Sequence, residues 1–132
     1  MGLEDCVSIA RNYFKDWMNQ KSLNLMPKKF RSLIFCTGIK YGGKLEWSFV
    51  FEQYKSENET KLKKELQFGL SCSKETWQVN TYLNLQLNQK YTQEKDRLLG
   101  LGYAVSRSSL LAWNFVQNNW EELSKKYIFK TR

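Results

Sequence analysis

The chain is predicted to be all-α, built from antiparallel helical hairpins stacked as a HEAT-like α-solenoid or an irregular bundle. Three observations predict this. Only one proline and seven glycines interrupt 132 residues, which favours long helices. Apolar residues recur at spacings of three and four nearly throughout. The breaks between these runs are short and polar, as in antiparallel helical neighbours. With 42% hydrophobic and 15% aromatic residues, the chain has enough apolar surface for one core. Residues 1–132 therefore read as a single helical domain.

The first helix starts at Glu4 or Asp5. Val7, Ala10, Phe14 and Trp17 form its stripe, widened by Tyr13 and Met18, and it fades near Asn19-Gln20. Lys21 to Met26 is a loop, and Pro27 stops the preceding helix or opens the next. The second helix spans about Lys28 to Tyr41, with Phe30, Leu33, Ile34 and Thr37 on one face and Cys36 beside it. Gly42-Gly43 ends it. The third, about Leu45 to Ser56, carries Trp47, Val50, Phe51 and Tyr54 at i, i+3, i+4 and i+7.

Ser56 to Glu59 is a polar turn. The fourth helix, about Thr60 to Leu70, packs Leu62, Leu66, Gly69 and Leu70. Lys61, Lys63, Lys64 and Glu65 are expected in solvent. Ser73 is the expected N-cap of a fifth helix carrying Trp77, Val79, Tyr82, Leu83 and Leu87. After a loop at Asn88 to Thr92, a sixth helix, about Gln93 to Ser106, uses Leu98, Leu101 and Val105. The seventh, about Ser108 to Tyr127, aligns Trp113, Val116, Trp120, Leu123 and Tyr127. Trp17, Trp47, Trp77, Trp113 and Trp120 are all expected in the core. No strict sequence repeat underlies the pattern.

The composition limits the chemistry. There is no histidine, so the commonest general base and the commonest metal ligand are missing. Three dispersed cysteines lack zinc-ligand spacing, so no metal site and no cofactor are predicted in the chain. Glu121-Glu122 and Glu57 with Glu59 read as exposed charges. Ser106 to Ser109 is a helix boundary without a base. Gly100-Leu101-Gly102 lacks the preceding strand and the following Lys-Ser/Thr of a phosphate loop. No catalytic residue is assigned.

The formal charge of +8 comes from 21 Lys and Arg against 13 Asp and Glu. The basic groups at Lys28-Lys29-Arg31, Lys61-Lys63-Lys64 and Lys125-Lys126-Lys130-Arg132 are scattered along helices and read as solvated faces. No nucleic-acid partner is predicted. No apolar run is long enough for a membrane span, and the acidic start Met1-Gly2-Leu3-Glu4-Asp5 has no signal-peptide core. Asn58-Glu59-Thr60 is a glycosylation sequon in a surface turn. Cys36 and Cys72 bracket the third and fourth helices. A disulfide and two buried free thiols both fit the spacing.

Several blocks in order carry a resemblance. They are Cys6 with Tyr13, Phe14, Trp17 and Met18; Arg31-Ser32 through Cys36; and Gly42-Gly43 with Glu46-Trp47 and Phe49. Leu70 with Cys72 to Glu75, Tyr82-Leu83, Lys95-Asp96 and Ala112 through Trp120 complete the series. Together they resemble the C-terminal helical domain of the aminopeptidase N family of zinc metallo-aminopeptidases, nearest its aminopeptidase N and Q branch. Two positions depart: Ser108 or a neighbour replaces a family glycine, and Gln93 or Glu94 replaces a basic residue.

The resemblance implies a disulfide between Cys36 and Cys72. It implies that Cys6 has lost its partner by truncation, and that the chain is a fragment or short isoform cut at both ends. It implies a cap domain that walls the substrate cavity of an enzyme removing N-terminal residues from peptides. Zinc belongs to the parent enzyme's catalytic domain, which is the implied partner, and homodimerisation through the helical domain is a further implication. So is a place at the extracellular face of the plasma membrane or in the secretory pathway. The rival expectation is a free-standing helical interaction module with no peptidase role.

Overall fold

The computed structural model describes residues 2–107 and 109–122. Among them are seven α-helices, one 3-10 turn and no strand. The helices are α1 (Leu3–Gln20), α2 (Arg31–Tyr41), α3 (Lys44–Ser56), α4 (Thr60–Leu70), α5 (Thr76–Leu87), α6 (Glu94–Arg107) and α7 (Ser109–Asn118). The 3-10 turn, Lys28–Phe30, follows Pro27 and leads into α2. The second predicted helix thus begins as a tighter turn, as helix starts often do.

The helices stack in two rows. In one row α2 packs on α4 and α4 on α6. These neighbours run parallel, because contacts advance together along both chains. Arg31 meets Glu65, Cys36 meets Cys72, and Phe68 meets Tyr103. Odd-numbered helices form the other row, with Trp17 against Phe49 and Trp47 against Trp77. Hairpins α1–α2, α3–α4 and α6–α7 connect neighbours in sequence. This is a short α-solenoid whose repeat lies in geometry, not in recurring residues.

Helix ends are set locally. Lys21 closes α1 in the left-handed conformation at φ 53°, its N–H donating to the Trp17 carbonyl at 2.7 Å. Glu46 Oε1 accepts from the Gly43 N–H at 2.6 Å and caps α3. The N-cap of α5 is Glu75, two residues later than Ser73. The Ser73 hydroxyl accepts the Glu75 N–H at 3.2 Å, so it shapes the turn instead of capping the helix. Lys63 Nζ donates to the Tyr54 and Glu57 carbonyls, closing the C-terminal end of α3.

The core contains Ala10, Phe14, Trp17, Phe35, Ile39, Trp47, Val50, Tyr54, Leu66, Leu83 and Ala112. The expected stripes of α1, α3 and α4 supply most of it. Others shift. In α2 the buried face is Arg31, Ile34, Phe35, Gly38 and Ile39, while Phe30 and Leu33 are exposed. In α6 Leu98 is exposed and the inward face is Arg97, Leu101 and Ala104.

Three of the five predicted core tryptophans are corrected. Trp77, Trp113 and Trp120 are 45%, 51% and 55% exposed, whereas Trp17 and Trp47 are buried. The apolar stripes of α5 and α7 are wider than the surface that the other described residues cover, and Trp120 follows the end of α7. Leu123, Tyr127 and the basic group from Lys125 to Arg132 lie outside the described residues, as does Ser108. Among the described residues no helix is long and apolar enough to cross a membrane.

Candidate functional site

The strongest constellation is the join between α2 and α4. Gly69 lies against Phe35, so closely that a Cβ there would sit 2.6 Å from the Phe35 Cβ and 3.3 Å from its carbonyl carbon. This glycine lets the two helices approach. The Cys36–Cys72 disulfide spans the same join, with Cα atoms 5.3 Å apart. At the other end Arg31 Nη2 lies 3.3 Å from Glu65 Oε1, both side chains largely buried. Glu65 is therefore an interface residue and not the solvent charge its helix pattern suggests, and Arg31 leaves the exposed basic group.

A second lock joins α4, α5 and α6. Gln67 Nε2 donates to Gln86 Oε1 at 2.8 Å and to the Asp96 carbonyl at 3.2 Å. Gln86 Nε2 donates to the Tyr82 carbonyl, and the Tyr82 hydroxyl donates to the Gly100 carbonyl at 2.8 Å. The side chains of Gln67 and Gln86 occupy the space a Cβ on Gly100 would need. Lys64 reaches Asp96 at 4.0 Å, so it too faces a neighbouring helix. Buried amides that satisfy one another fix one packing of the helices, because a slip would leave them unpaired in a dry interior.

A third polar link ties α3 to the loop after α5. The Tyr54 hydroxyl and Thr92 Oγ1 are 2.8 Å apart, and Thr92 Oγ1 donates to the Leu85 carbonyl at 2.9 Å. Burial raises the Tyr54 phenol pKa above its ordinary 10.0; the Thr92 hydrogen bond opposes this and the Asp96 charge adds to it. A raised folded-state pKa favours the neutral phenol, so its contribution is complete below pH 10 and is lost as pH rises through the folded value. Lys63 acts with the opposite sign. Burial lowers its pKa from 10.5 against the charges of Glu57 and Asp96, so its contribution makes stability rise as pH climbs toward 10.5. Replacing Tyr54→Phe is expected to cost about 1 kcal/mol at neutral pH. It should also flatten the loss of melting temperature between pH 10 and 11, measured by circular dichroism.

A cleft of about 600 Å³ opens between α1 and the α2–α3 corner. Phe14, Met18 and Tyr41 form part of its wall, with Glu4, Arg11 and Glu46 at its polar side. Gly38 leaves room for the Phe14 ring beneath it. Among the described residues no group of three His, Cys, Asp or Glu side chains is placed to hold a metal ion. Asn58 stands exposed in the α3–α4 turn, and Cys6 is an exposed free thiol on α1. Of the sequence-predicted sites, the structure joins Cys36 to Cys72. Cys6 lies on α1 and Asn58 on the α3–α4 turn, and neither takes part in the joins between helices.

Comparison with known proteins connects this architecture to a family. The model of the ERAP1-like C-terminal domain matches residues 1–131. The chain belongs to that family. Aminopeptidase N of Oryctolagus cuniculus is 31% identical over 128 residues, and aminopeptidase N of Homo sapiens is 31% identical over 129. Aminopeptidase Q of Felis catus is 27% identical over 128. Each match covers 96% of this chain but only 13% of the relative. An ERAP1-like C-terminal domain made of stacked hairpins explains why the most ordered chemistry here consists of interhelical joins.

Proposed function

We propose that the chain is a non-catalytic helical domain of a membrane-bound zinc aminopeptidase, an enzyme that removes N-terminal residues from peptides. In this role it packs on the parent catalytic domain, helps wall the substrate cavity and supports domain packing or dimerisation. Zinc and the groups that act with it belong to that catalytic domain. The observation carrying this reading is the match to an aminopeptidase C-terminal domain along residues 1–131. The half-exposed Trp77, Trp113 and Trp120, with Leu45 and Leu110, supply apolar surface of the kind that neighbouring protein covers.

The remaining features fit the same setting. A disulfide and an exposed sequon at Asn58 suit the oxidising secretory pathway and the extracellular face of the plasma membrane. The exposed Cys6 thiol suits a partner cysteine supplied by adjoining polypeptide.

The test is replacement. Aminopeptidase N in which this chain substitutes for the matching segment is expected to reach the cell surface and hydrolyse an aminoacyl-anilide, while the isolated chain with added zinc does not. Hydrolysis by the isolated chain would overturn the proposal. A folded chimera with no hydrolysis, beside a stable isolated monomer, would favour a free-standing interaction module.

A further inference from the structure

Asn58-Glu59-Thr60 is the only Asn-x-Ser/Thr sequence in the chain, and its middle residue is not proline. All three residues are exposed, between the end of α3 and the first turn of α4. Asparagine beside a helix start commonly serves as the N-cap. Here the N-cap is Glu59, and no side chain caps α4. The turn is held from within α4 instead, where Lys63 Nζ donates to the Tyr54 and Glu57 carbonyls. Asn58 therefore has no part in starting the helix. The surface around it is polar as well. Among the described residues, every exposed large apolar side chain lies at or before Leu45 or at or after Trp77. The α3–α4 hairpin between them presents Glu52, Ser56, Glu59 and Lys61 to solvent. Protein contacts are centred on buried apolar or aromatic anchors, and this hairpin offers no exposed one.

We propose that Asn58 carries an N-linked glycan, and that the α3–α4 corner faces solvent in the assembled parent enzyme instead of its catalytic domain or a second copy. The proposal deepens the domain role above and rests on it for passage through the secretory pathway. In the transfer, Asn58 Nδ2 attacks the anomeric carbon of an oligosaccharide held on a lipid pyrophosphate. The new N–C bond replaces the C–O bond, the pyrophosphate leaves with that electron pair, and the amide loses one proton. A bulky, hydrated glycan then keeps other protein away from the corner.

The experiment uses mammalian cells and two forms: the 132-residue chain behind a secretory signal, and aminopeptidase N in which the chain replaces the matching segment. In both, a peptide-N-glycosidase is expected to convert Asn58 to aspartate, read by mass spectrometry of the peptide that holds it. The same treatment should raise the gel mobility of the secreted chain. Asn58→Gln and Thr60→Ala should abolish that shift, and Thr60→Ser should keep it. The glycosylated chimera is expected to reach the cell surface and hydrolyse an aminoacyl-anilide at the rate of its Asn58→Gln variant. A surface-displayed chimera with Asn58 unmodified overturns the proposal and leaves the domain role standing. A chimera active only as Asn58→Gln overturns it too, since the corner would then be a contact. A chimera that reaches the surface in neither form counts against the domain role. The secreted chain then decides: an occupied Asn58 upholds the modification, and a bare one overturns it.

Discussion

Replacing both Cys36 and Cys72 by alanine is expected to lower stability by about 4 kcal/mol, read from urea unfolding of the oxidised and variant chains. The bridge closes a sequence separation of 36 residues. In the chain-entropy account, a loop of that size restricts the unfolded ensemble by about 4 kcal/mol. The native side of the balance adds little strain to offset it, because Gly69 already brings α2 and α4 together. Single domains of this size are stable by about 5–15 kcal/mol, so the loss removes a large fraction of the total. The melting temperature should fall by roughly 10–15 °C. The buried Arg31–Glu65 pair beside the same join cannot replace the bridge, since a buried ion pair gives back much of its attraction as lost hydration. Unchanged unfolding after reduction would show that the α2–α4 packing holds itself.

The same join shows what sequence periodicity reveals and what it hides. Helices α1 and α3 touch neighbours mainly on one side, so Phe14 and Trp17, and Trp47 and Val50, align as one stripe in sequence and in space. Helix α2 is apolar around most of its circumference and is contacted by α1, α3 and α4. Periodicity gives no phase for such a helix. Leu33 and Phe30 therefore looked interior and are exposed, while Phe35 and Gly38 took the interior. The tryptophans at 77 and 113 fail for a related reason, because the stripes of α5 and α7 are wider than what covers them.

Polar burial was the least legible part. Nothing local marks Gln67, Gln86, Thr92 or Arg97 as interior, since each is a common surface residue. Their positions follow from helices 19 to 38 residues apart meeting in register. The charged residues of α4 differ from their pattern on the same grounds. A helix flanked in its row by α2 and α6 has no wholly free face, so Glu65 turns to one neighbour and Lys64 to the other. The disulfide is the exception: cysteine spacing alone leaves it undecided, and the family resemblance points to the pair the structure joins.

Gly69→Val should lower stability although it touches no charge and no sulfur. Two opposing effects decide its size. Any side chain in place of glycine gains helix propensity, about 1 kcal/mol for alanine and less for a β-branched residue. Against this, the new Cβ would lie 2.6 Å from the Phe35 Cβ and 3.6 Å from the Cys36 nitrogen. Those atoms belong to α2 and to a side chain with no exposed surface, so no flexible tip can swing away. Relief requires α2 and α4 to separate, and overpacking of that kind costs about 1–3 kcal/mol, occasionally more. Separation would also move Cys36 from Cys72 and Arg31 from Glu65, which ride on the same two helices. The expected net loss is about 3 kcal/mol, with slower disulfide formation on oxidative refolding followed by thiol alkylation and mass spectrometry. Gly69→Ala is the control, because its propensity gain offsets part of the clash and its loss should be about half as large. If valine is tolerated with normal oxidation, the close approach of α2 and α4 is not what sets the spacing of the stack.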